Sequence, residues 1–282
     1  MATYYVDGKF ISADNAVIPI NDLALLRGYG VFDFLRTYNS QPIFLRAHIK
    51  RLAQSAKQIG LDLPWSQKEL IDIVNQTLSK NKNRESNIRI VLTGGPSPDF
   101  ITPQGKPRLL VLITPLAKQP ACWYRDGVKI ITINSVRNIP GAKSIDYIPA
   151  TIALKQARRK KAIEAIYVDR DECVLEGTTS NLFIFRGDRL VTPSRSILSG
   201  ITRKVILRLA ANTYQTDLRN IARDELYAAD EVFITGSNKE IVPVVKVDKK
   251  TIGDGKPGKR TKKIMEAFAT YTAEEAQSHK LR

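Results

Sequence analysis

The sequence predicts an α+β protein of two domains, a smaller N-terminal α/β domain and a larger C-terminal one. Both halves mix strand-like runs with helix-like periodicity, without the strict βαβ alternation of a doubly wound sheet. Two prolines follow a strongly apolar run between residues 114 and 120, which indicates a linker. The 282 residues, 43% of them hydrophobic, suffice for a substantial core. We therefore expect domains at 1–114 and 126–282, joined by a linker at 115–125.

The N-terminal half contains the clearest helix signals. Leu52, Ala56 and Ile59 recur at helical spacing and would share one face. Ser66, with Glu69 three residues later, has the pattern of a capping box at the start of a second helix. A Gly-Gly-Pro turn ends the first long strand of this half. In chain order, the predicted elements are a strand at 43–45, helices at 47–60 and 66–80, and strands at 87–93 and 108–114.

The C-terminal half mixes the two patterns in a similar way. Its first strand alternates apolar and polar residues, and its first helix carries a basic face. The stretch 246–263 holds eight basic and two acidic residues, which indicates a solvated tail. The predicted elements are strands at 127–134, 164–169, 181–185 and 229–235, and helices at 151–161 and 201–212.

The chain is strongly basic, with 44 Lys and Arg against 28 Asp and Glu and a formal net charge of +16. Such a charge would suit a nucleic acid, an anionic membrane surface or an anionic small molecule. The two densest clusters, 158–161 and 256–263, have no aromatic residues among their charges, which argues against specific nucleic-acid binding. We expect most of these charges to lie on solvated surface.

Simple counts disfavour several further classes of protein. The longest apolar runs are far shorter than the ~20 residues that span a bilayer, and the first residues lack a signal-peptide pattern. We therefore expect a cytoplasmic protein that does not cross a membrane. Cys122 and Cys173 are far apart in sequence, and only His48 and His279 accompany them. Neither a disulfide framework nor a metal site is expected.

Three short segments have the chemistry of an anion site. Gly-Ile-Thr at 200–202 begins a predicted helix, whose free N–H groups and dipole attract a phosphate. Thr-Gly-Ser at 235–237 leaves a buried strand in a tight turn, whose N–H groups and hydroxyls can meet an anion. Arg51 adds a forked, permanently charged donor. Each feature alone is more typical of a structural cap or turn, so only their combination indicates a ligand.

The order of five segments, at 27–33, 48–52, 176–183, 199–203 and 234–241, carries a family resemblance. The most specific stretch is Glu176-Gly-x-x-Ser-Asn-x-Phe, followed by Thr192-Pro193 and by Ile-Leu-x-Gly-Ile-Thr-Arg at 197–203. From about Tyr5 to Phe268 the chain resembles the class IV, or fold-type IV, pyridoxal-phosphate enzymes. These are the branched-chain and D-amino-acid aminotransferases and the aminodeoxychorismate lyases. The resemblance implies pyridoxal 5′-phosphate as the cofactor, held between the two domains.

The resemblance also implies roles for individual residues. Lys143, in Ala-Lys-Ser-Ile-Asp-Tyr at 142–147, would form the Schiff base with the cofactor and move a proton at the substrate Cα. Glu176 would pair with the pyridine nitrogen and keep it protonated, so that the ring can act as an electron sink. Tyr147 would hydrogen-bond the phenolic oxygen. The phosphate would be held by Arg51, Ile201, Thr202 and Ser237.

The choice of Lys143 over other lysines depends on the motif. Lys155, Lys160 and Lys161 are alternatives by composition. They lie among other cations on a helix face that we expect to be solvated, which argues against them.

The substrate pocket departs from the branched-chain pattern at Phe34, because those enzymes carry a glycine after the acidic residue. Arg36 and Arg89 agree with that pattern, and Arg89 matches an arginine implicated in holding the distal carboxylate of glutamate. The Arg-x-His pair of typical D-amino-acid enzymes is missing from the loop near 96–106, although Arg27 or Arg36 could substitute for it. The implied substrate-binding residues are Phe32, Phe34, Arg36, Arg89, Ser237 and Asn238.

The predicted function is a transaminase that moves an amino group between an α-amino acid and a 2-oxo acid, 2-oxoglutarate or pyruvate, by a ping-pong mechanism. L-branched-chain amino acids are the favoured substrates. A D-alanine or D-glutamate transaminase of the same fold, which could also accept (R)-amines, is the main alternative; an aminodeoxychorismate lyase and a non-catalytic basic binding protein also stay open. The family implies a homodimer or a higher homo-oligomer. The length and the Pro and Gly content of the loop 94–107 and of the linker at 115–123 indicate a cross-subunit element and a gate, respectively.

Overall fold

The computed structural model describes residues 2–280, which divide into two compact units. Within that range the first unit comprises 2–117, 141–147 and 272–280, and the second comprises 118–140 and 148–271. The segment 141–147 therefore lies with the first unit, although it follows the predicted linker. The domain boundaries at 114 and 126 stay a prediction, and the chain ends at 1 and 281–282 lie outside the described residues.

The first unit is an antiparallel sheet with helices packed on one face. Among the described residues, five strands pair in the order β2-β1-β5-β4-β3. Helices α2 and α3 contribute to the apolar core beneath the sheet, together with Val31, Leu35, Ile88 and Ile90. The elements are β1 Thr3–Val6, β2 Lys9–Ser12, a 3₁₀ turn Ala13–Asn15, α1 Leu23–Arg27, β3 Gly30–Arg36, α2 Leu45–Gln58, α3 Gln67–Ser79, β4 Ser86–Thr93 and β5 Arg108–Pro115.

Strand β3 presents two chemically different faces. Successive side chains of a strand point to opposite sides, so Val31, Asp33 and Leu35 face helix α2, where Val31 and Leu35 join the core. Phe32 and Phe34 lie on the other face. β3 is also the edge strand of its sheet, which leaves one of its sides available for a further pairing.

The second unit is built on a larger mixed sheet. Ten strands of the described part pair in the order β11-β10-β9-β13-β14-β6-β7-β8-β12, with β15 beside β14. Strand β6 pairs in parallel with both β7 and β14. The elements are α4 Ala121–Arg125, β6 Val128–Asn134, α5 Ile148–Arg159, β7 Glu164–Val168, β8 Cys173–Gly177, β9 Asn181–Arg186, β10 Arg189–Thr192, α6 Ile201–Ala210, β11 Gln215–Leu218, β12 Ile221–Ala222, α7 Arg223–Tyr227, β13 Glu231–Gly236, β14 Glu240–Val247, β15 Lys250–Thr251 and α8 Lys259–Lys280, whose residues from 272 onward belong to the first unit.

The local predictions hold where a distinct signal exists. The capping box at the start of α3 is confirmed: the Ser66 hydroxyl accepts from the Glu69 N–H, and the Glu69 carboxylate accepts from the Ser66 N–H. The strand at 43–45 is wrong, because Leu45 already begins α2 and is buried in its core. A three-residue apolar run does not distinguish a strand from the start of a buried helix.

The predicted linker and the predicted basic tail each contain helical residues. The stretch 115–125 contains helix α4. The predicted basic tail is solvated as expected, with Lys256, Lys262 and Lys263 exposed, but its end forms the start of α8, which buries Ile264 and Phe268 further along. Basic residues at the start of a helix can remain solvated while its apolar stripe packs. Among the described residues, no helix combines the length and the apolar character needed to cross a membrane.

Candidate active site

A buried ionic cluster lies between β3 and α2 in the first unit. The Asp33 carboxylate accepts hydrogen bonds from Arg51 Nε at 2.9 Å and from Arg51 Nη2 at 2.7 Å. Its Oδ1 lies 2.7 Å from His48 Nδ1 and also accepts from the Phe34 N–H at 2.7 Å. Asp33 is fully buried, His48 is 1% exposed and Arg51 is 6% exposed. Arg51, a predicted phosphate ligand, is therefore held in place by the carboxylate of Asp33, a residue that had no predicted role.

The charge states within this cluster follow from its geometry. Burial raises the pKa of Asp33, but Arg51 and His48 outweigh burial and hold that pKa well below its ordinary value. Burial lowers the pKa of His48, and Arg51 and Lys143 lower it further, against the opposing effect of Asp33. We therefore assign an ionised Asp33 and a neutral His48 that donates its Nδ1–H to Asp33.

Lys143, the predicted catalytic lysine, is fixed through its backbone. The Phe32 N–H donates to the Lys143 carbonyl at 2.9 Å, and the Ile145 N–H donates to the Gly30 carbonyl at 3.1 Å. These bonds add residues 143–145 to the free edge of β3 as a short antiparallel partner. The Lys143 N–H donates to Ser55 Oγ at 3.0 Å, and Ser55 Oγ donates to the Arg51 carbonyl at 2.8 Å. Both main-chain groups of Lys143 are thus satisfied within the first unit.

The face of β3 opposite the helices brings together most of the remaining site residues predicted in this unit. Lys143 Nζ lies 4.6 Å from the centroid of the Phe32 ring, and the Tyr147 ring meets Phe32 edge-on at 5.5 Å. The Arg89 guanidinium carbon lies 5.1 Å from the Phe32 centroid and 5.5 Å from the Phe34 centroid. Arg36 follows Phe34 on the same face at the end of β3. Its guanidinium packs over the Tyr38 ring at 4.6 Å.

Glu176 is the centre of the predicted site in the second unit. It is 5% exposed and lies at the end of β8. Arg137 Nη1 forms an ion pair with its Oε1 at 3.2 Å, and Asn181 Nδ2 donates to its Oε2 at 3.3 Å. The same Asn181 amide donates to the Leu198 carbonyl at 2.9 Å. Glu176 is therefore an oriented, buried carboxylate, suited to pairing with a protonated ring nitrogen.

Asn181 also connects Glu176 to the start of α6, where Ile201 and Thr202 lie. Gly200 is the N-cap of this helix, and a Cβ on it would lie only 1.9 Å from Asn181 Oδ1. Ile201 and Thr202 are both buried in the first turn of the helix. Their N–H groups belong to the first turn, which has no partners within the helix.

Ser237 and Asn238, the last predicted residues, lie on the turn that joins β13 to β14. The Lys239 N–H closes this turn on the Gly236 carbonyl at 3.1 Å. Just before it, the Thr235 hydroxyl is buried and has no hydrogen-bond partner within residues 2–280. A buried hydroxyl without a partner is costly unless a ligand satisfies it. The turn therefore fits an anionic group, such as a phosphate.

Sequence reasoning missed several residues that orient this site. Asp33 and His48 lie inside the recognised segments, so their position there could have identified them. Arg137 and Glu164 precede the specific stretch and had no local signal. Lys239 was part of a recognised segment, yet nothing local indicated a buried lysine.

The chain is similar to known proteins over most of its length. A model of the family described as amino-transferase class IV matches residues 30–247. A protein of Methanocaldococcus jannaschii, provisionally named a branched-chain-amino-acid aminotransferase, is 37% identical over 275 residues, covering 94% of each chain. A D-alanine aminotransferase of Staphylococcus aureus is 31% identical over 279 residues, covering 96% of this chain and 98% of its own.

A solved structure extends the likeness to three dimensions. The branched-chain amino acid aminotransferase of T.th., complexed with N-(5′-phosphopyridoxyl)-L-glutamate, superposes with a TM-score of 0.89 at 28% identity. The match covers 97% of this chain and 95% of that structure's chain.

Proposed function

The chain belongs to the class IV aminotransferases, and we propose that it transfers the amino group of L-branched-chain amino acids to 2-oxoglutarate. One observation carries the substrate proposal: on one face of β3, the Phe32 ring lies close to both Lys143 Nζ and the Arg89 guanidinium. An apolar surface with a cation beside it can bind the apolar side chain and the carboxylate of a branched-chain substrate. The Methanocaldococcus relative is named for the same class of substrate.

Family membership confirms three predictions from the sequence. The chain is an aminotransferase, its fold is that of the fold-type IV enzymes, and its cofactor is pyridoxal 5′-phosphate, which class IV aminotransferases use. A non-catalytic basic binding protein is therefore excluded.

The second unit offers a fitting set of groups for this cofactor. We assign Glu176 to the ring nitrogen, because its carboxylate is buried and oriented by two neighbours. Ile201, Thr202 and Ser237 would hold the phosphate, and the unpartnered Thr235 hydroxyl supports this placement. When bound, the cofactor supplies an electron-withdrawing ring that acidifies the Cα–H bond of the substrate.

The first unit would supply the reactive amine. We assign Lys143 as the residue that attaches the cofactor and moves a proton at the substrate Cα. Its backbone bonds to β3 and to Ser55 hold the Cα in place, so that only the side chain moves. Tyr147 and Arg51 would contact the cofactor at its phenolic oxygen and its phosphate. Asp33 orients Arg51 through two hydrogen bonds.

A D-amino-acid transaminase is the second candidate. It is favoured by the 31% identity to the Staphylococcus aureus D-alanine aminotransferase over almost the whole chain. The missing Arg-x-His pair argues against it, although Arg89 could bind a carboxylate in either stereochemical series.

The decisive experiment follows the first half-reaction by the visible absorbance of the protein-bound cofactor. L-Leucine, L-glutamate, D-alanine, D-glutamate and an (R)-amine are each added alone to the holoenzyme. We expect L-leucine and L-glutamate to remove the absorbance band. If the D-amino acids remove it and L-leucine does not, the substrate proposal is wrong and the D-amino-acid transaminase takes its place. A lyase would instead be identified by repeated release of pyruvate from aminodeoxychorismate, supplied as the substrate with no amino acceptor present.

Replacement of Lys143 by Ala tests the catalytic assignment. We expect the variant to lose turnover and the characteristic absorbance of the bound cofactor, because it lacks the attaching amine. Lys155→Ala, on the exposed side of α5, is the matched control and should behave as the unmodified enzyme. Retained turnover in Lys143→Ala would refute the assignment.

The assembly we propose is a homodimer. Val17, Ile20 and Leu25 expose more than half of their surface around α1, as do Phe100 and Ile101 in the loop 94–107. The two segments are joined by hydrogen bonds, such as that from the Leu23 N–H to the Gly95 carbonyl at 3.0 Å. An exposed apolar patch of this kind is typical of an interface.

Sedimentation tests the dimer. The unmodified protein should sediment as a dimer, and Ile20→Asp should sediment as a monomer. An unmodified protein that is monomeric at micromolar concentration would refute the proposal.

We propose a cytoplasmic location, as the sequence predicts. Cys122 and Cys173 are unpaired, as expected in a reducing compartment. Cell fractionation followed by detection of the chain tests this location, and recovery outside the cytoplasmic fraction would contradict it.

A further inference from the structure

We propose that Glu164 and Lys239 are positioning residues, and that their buried ion pair holds together two loops adjacent to proposed cofactor ligands of the second unit. The inference rests on the proposed cofactor site. The first loop, 177–180, follows Glu176, the predicted partner of the ring nitrogen. The second is the turn at 236–240, which carries Ser237, a predicted phosphate ligand. No local sequence signal indicated this pair.

Glu164 organises the 177–180 loop. It is fully buried at the start of β7. The hydroxyl of Thr178 donates to its Oε1, while Thr179 Oγ1 at 2.7 Å and Ser180 Oγ at 3.0 Å donate to its Oε2. Three successive side chains of the loop thus bind one carboxylate. The loop is held in one conformation directly after the residue that would contact the ring nitrogen.

Lys239 extends the same cluster to the 236–240 turn. It is 7% exposed, and its Nζ lies 2.7 Å from Glu164 Oε2 and 2.7 Å from Thr179 Oγ1. Its carbonyl accepts from the Tyr124 hydroxyl at 3.1 Å. A lysine two positions from Ser237 would suggest a direct phosphate ligand, but its ammonium group is bound to Glu164 and Thr179. It therefore acts on the turn and not on the phosphate.

The close packing of the two loops supports this coupling. A Cβ on Gly236 would lie 3.2 Å from the Thr179 carbonyl oxygen, so the two backbones approach closely at this point. Burial raises the pKa of Glu164, but Lys239 and the neighbouring hydroxyls bring it below its ordinary value, and the carboxylate stays ionised. A buried ion pair seldom adds net stability over an apolar pair. What it adds here is a fixed direction of contact between the loops.

The test compares two ligands, pyridoxal 5′-phosphate and pyridoxal, which lacks the phosphate. Their dissociation constants are measured by absorbance titration of the full chain after removal of the cofactor. In Lys239→Met, we expect affinity for pyridoxal 5′-phosphate to fall at least about tenfold. This is the effect of losing one charge-assisted hydrogen bond between the displaced turn and the phosphate. Affinity for pyridoxal should change less than about threefold. Lys246→Met, an exposed lysine on β14, removes the same charge and should change neither constant.

The Glu164→Gln variant distinguishes a positioning role of Lys239 from a direct interaction of Lys239 with the phosphate. Gln has nearly the same shape as Glu, which favours folding of the variant. It leaves Lys239 charged but without its partner. If Lys239 served the phosphate directly, this variant would bind pyridoxal 5′-phosphate more tightly. The proposal requires weaker binding. In the double variant Glu164→Gln/Lys239→Met, no charge is left buried alone, so we expect thermal stability to recover toward that of the unmodified protein. The preference for pyridoxal 5′-phosphate over pyridoxal should stay reduced.

The outcomes are distinguishable from failure of the proposed function. An unmodified protein that does not take up pyridoxal 5′-phosphate contradicts the cofactor site itself. An unmodified protein that binds it, with variants that keep its selectivity or weaken both ligands equally, overturns only the role of Glu164 and Lys239. Tighter binding of pyridoxal 5′-phosphate by Glu164→Gln also overturns that role.

Discussion

Replacement of Asp33 by Asn should destabilise the first unit by about 3–5 kcal/mol at pH 7, the usual cost of removing one partner of a buried ion pair. The structure supports this magnitude because the Asp33 carboxylate is fully buried and accepts two hydrogen bonds from Arg51 and one from His48. Asn would keep the shape but lose the charge. Arg51 would then remain buried beside a neutral amide.

The assay uses the fact that each unit has one tryptophan. Trp65 packs against the core of the first unit, and Trp123 packs against that of the second. In a Trp123→Phe background, urea unfolding followed by fluorescence reports on the first unit alone. The cofactor is removed and the protein concentration is held constant, since ligands and self-association shift apparent stability. The matched control is Asp14→Asn, at an exposed position, which should change stability by less than about 0.5 kcal/mol.

The effect should depend on pH in a definite direction. The pKa of Asp33 is lowered in the folded state, so the unfolded chain takes up the proton first as the pH falls below about 4. The stability contributed by Asp33 is complete above that pH and is lost progressively below it. The difference between the unmodified protein and Asp33→Asn should therefore shrink toward pH 3. A difference under about 1 kcal/mol at pH 7, or one that widens on acidification, would refute the reasoning.

Three further substitutions test local features of the structure. Ser66→Ala removes the capping box of α3 and should cost about 1 kcal/mol in urea unfolding. Ser55→Ala leaves the Lys143 N–H without its acceptor and should cost about 1–3 kcal/mol, with a fall in kcat at unchanged KM. Gly200→Ala forces a Cβ against Asn181 and should cost about 1–3 kcal/mol, with weaker binding of pyridoxal 5′-phosphate.

Each of these three predictions has an outcome that would contradict it. Ser79→Ala, at an exposed position near the end of α3, is the control for the capping box, and an equal loss there would contradict the cap argument. Unchanged kcat in Ser55→Ala would show that Lys143 does not depend on that bond. A Gly200→Ala protein with unchanged cofactor affinity would show that Asn181 moves without consequence.

The sequence predicted elements and candidate residues where the signal is local. The capping box of α3 follows from two residues three positions apart, and its geometry is confirmed. The family assignment followed from Glu176, Asn181 and the segments around them. The strand at 43–45 was wrong, and the basic stretch 246–263 is solvated but ends in a helix, because a short apolar run and a basic run each have more than one folded outcome. The roles of Lys143 and its partners stay proposals, supported by the backbone bonds that fix the lysine.

By itself, the sequence determined the family, the cofactor and the candidate residues, because each is encoded by residue types at short, fixed spacing. The tertiary structure decided which groups orient them. Lys143 joins the edge of β3 although more than a hundred residues separate it from Phe32. Glu164 meets Lys239 across 75 positions. Such pairs depend on the order of strands in a sheet, which is set by the packing of the whole chain and has no local sequence signature.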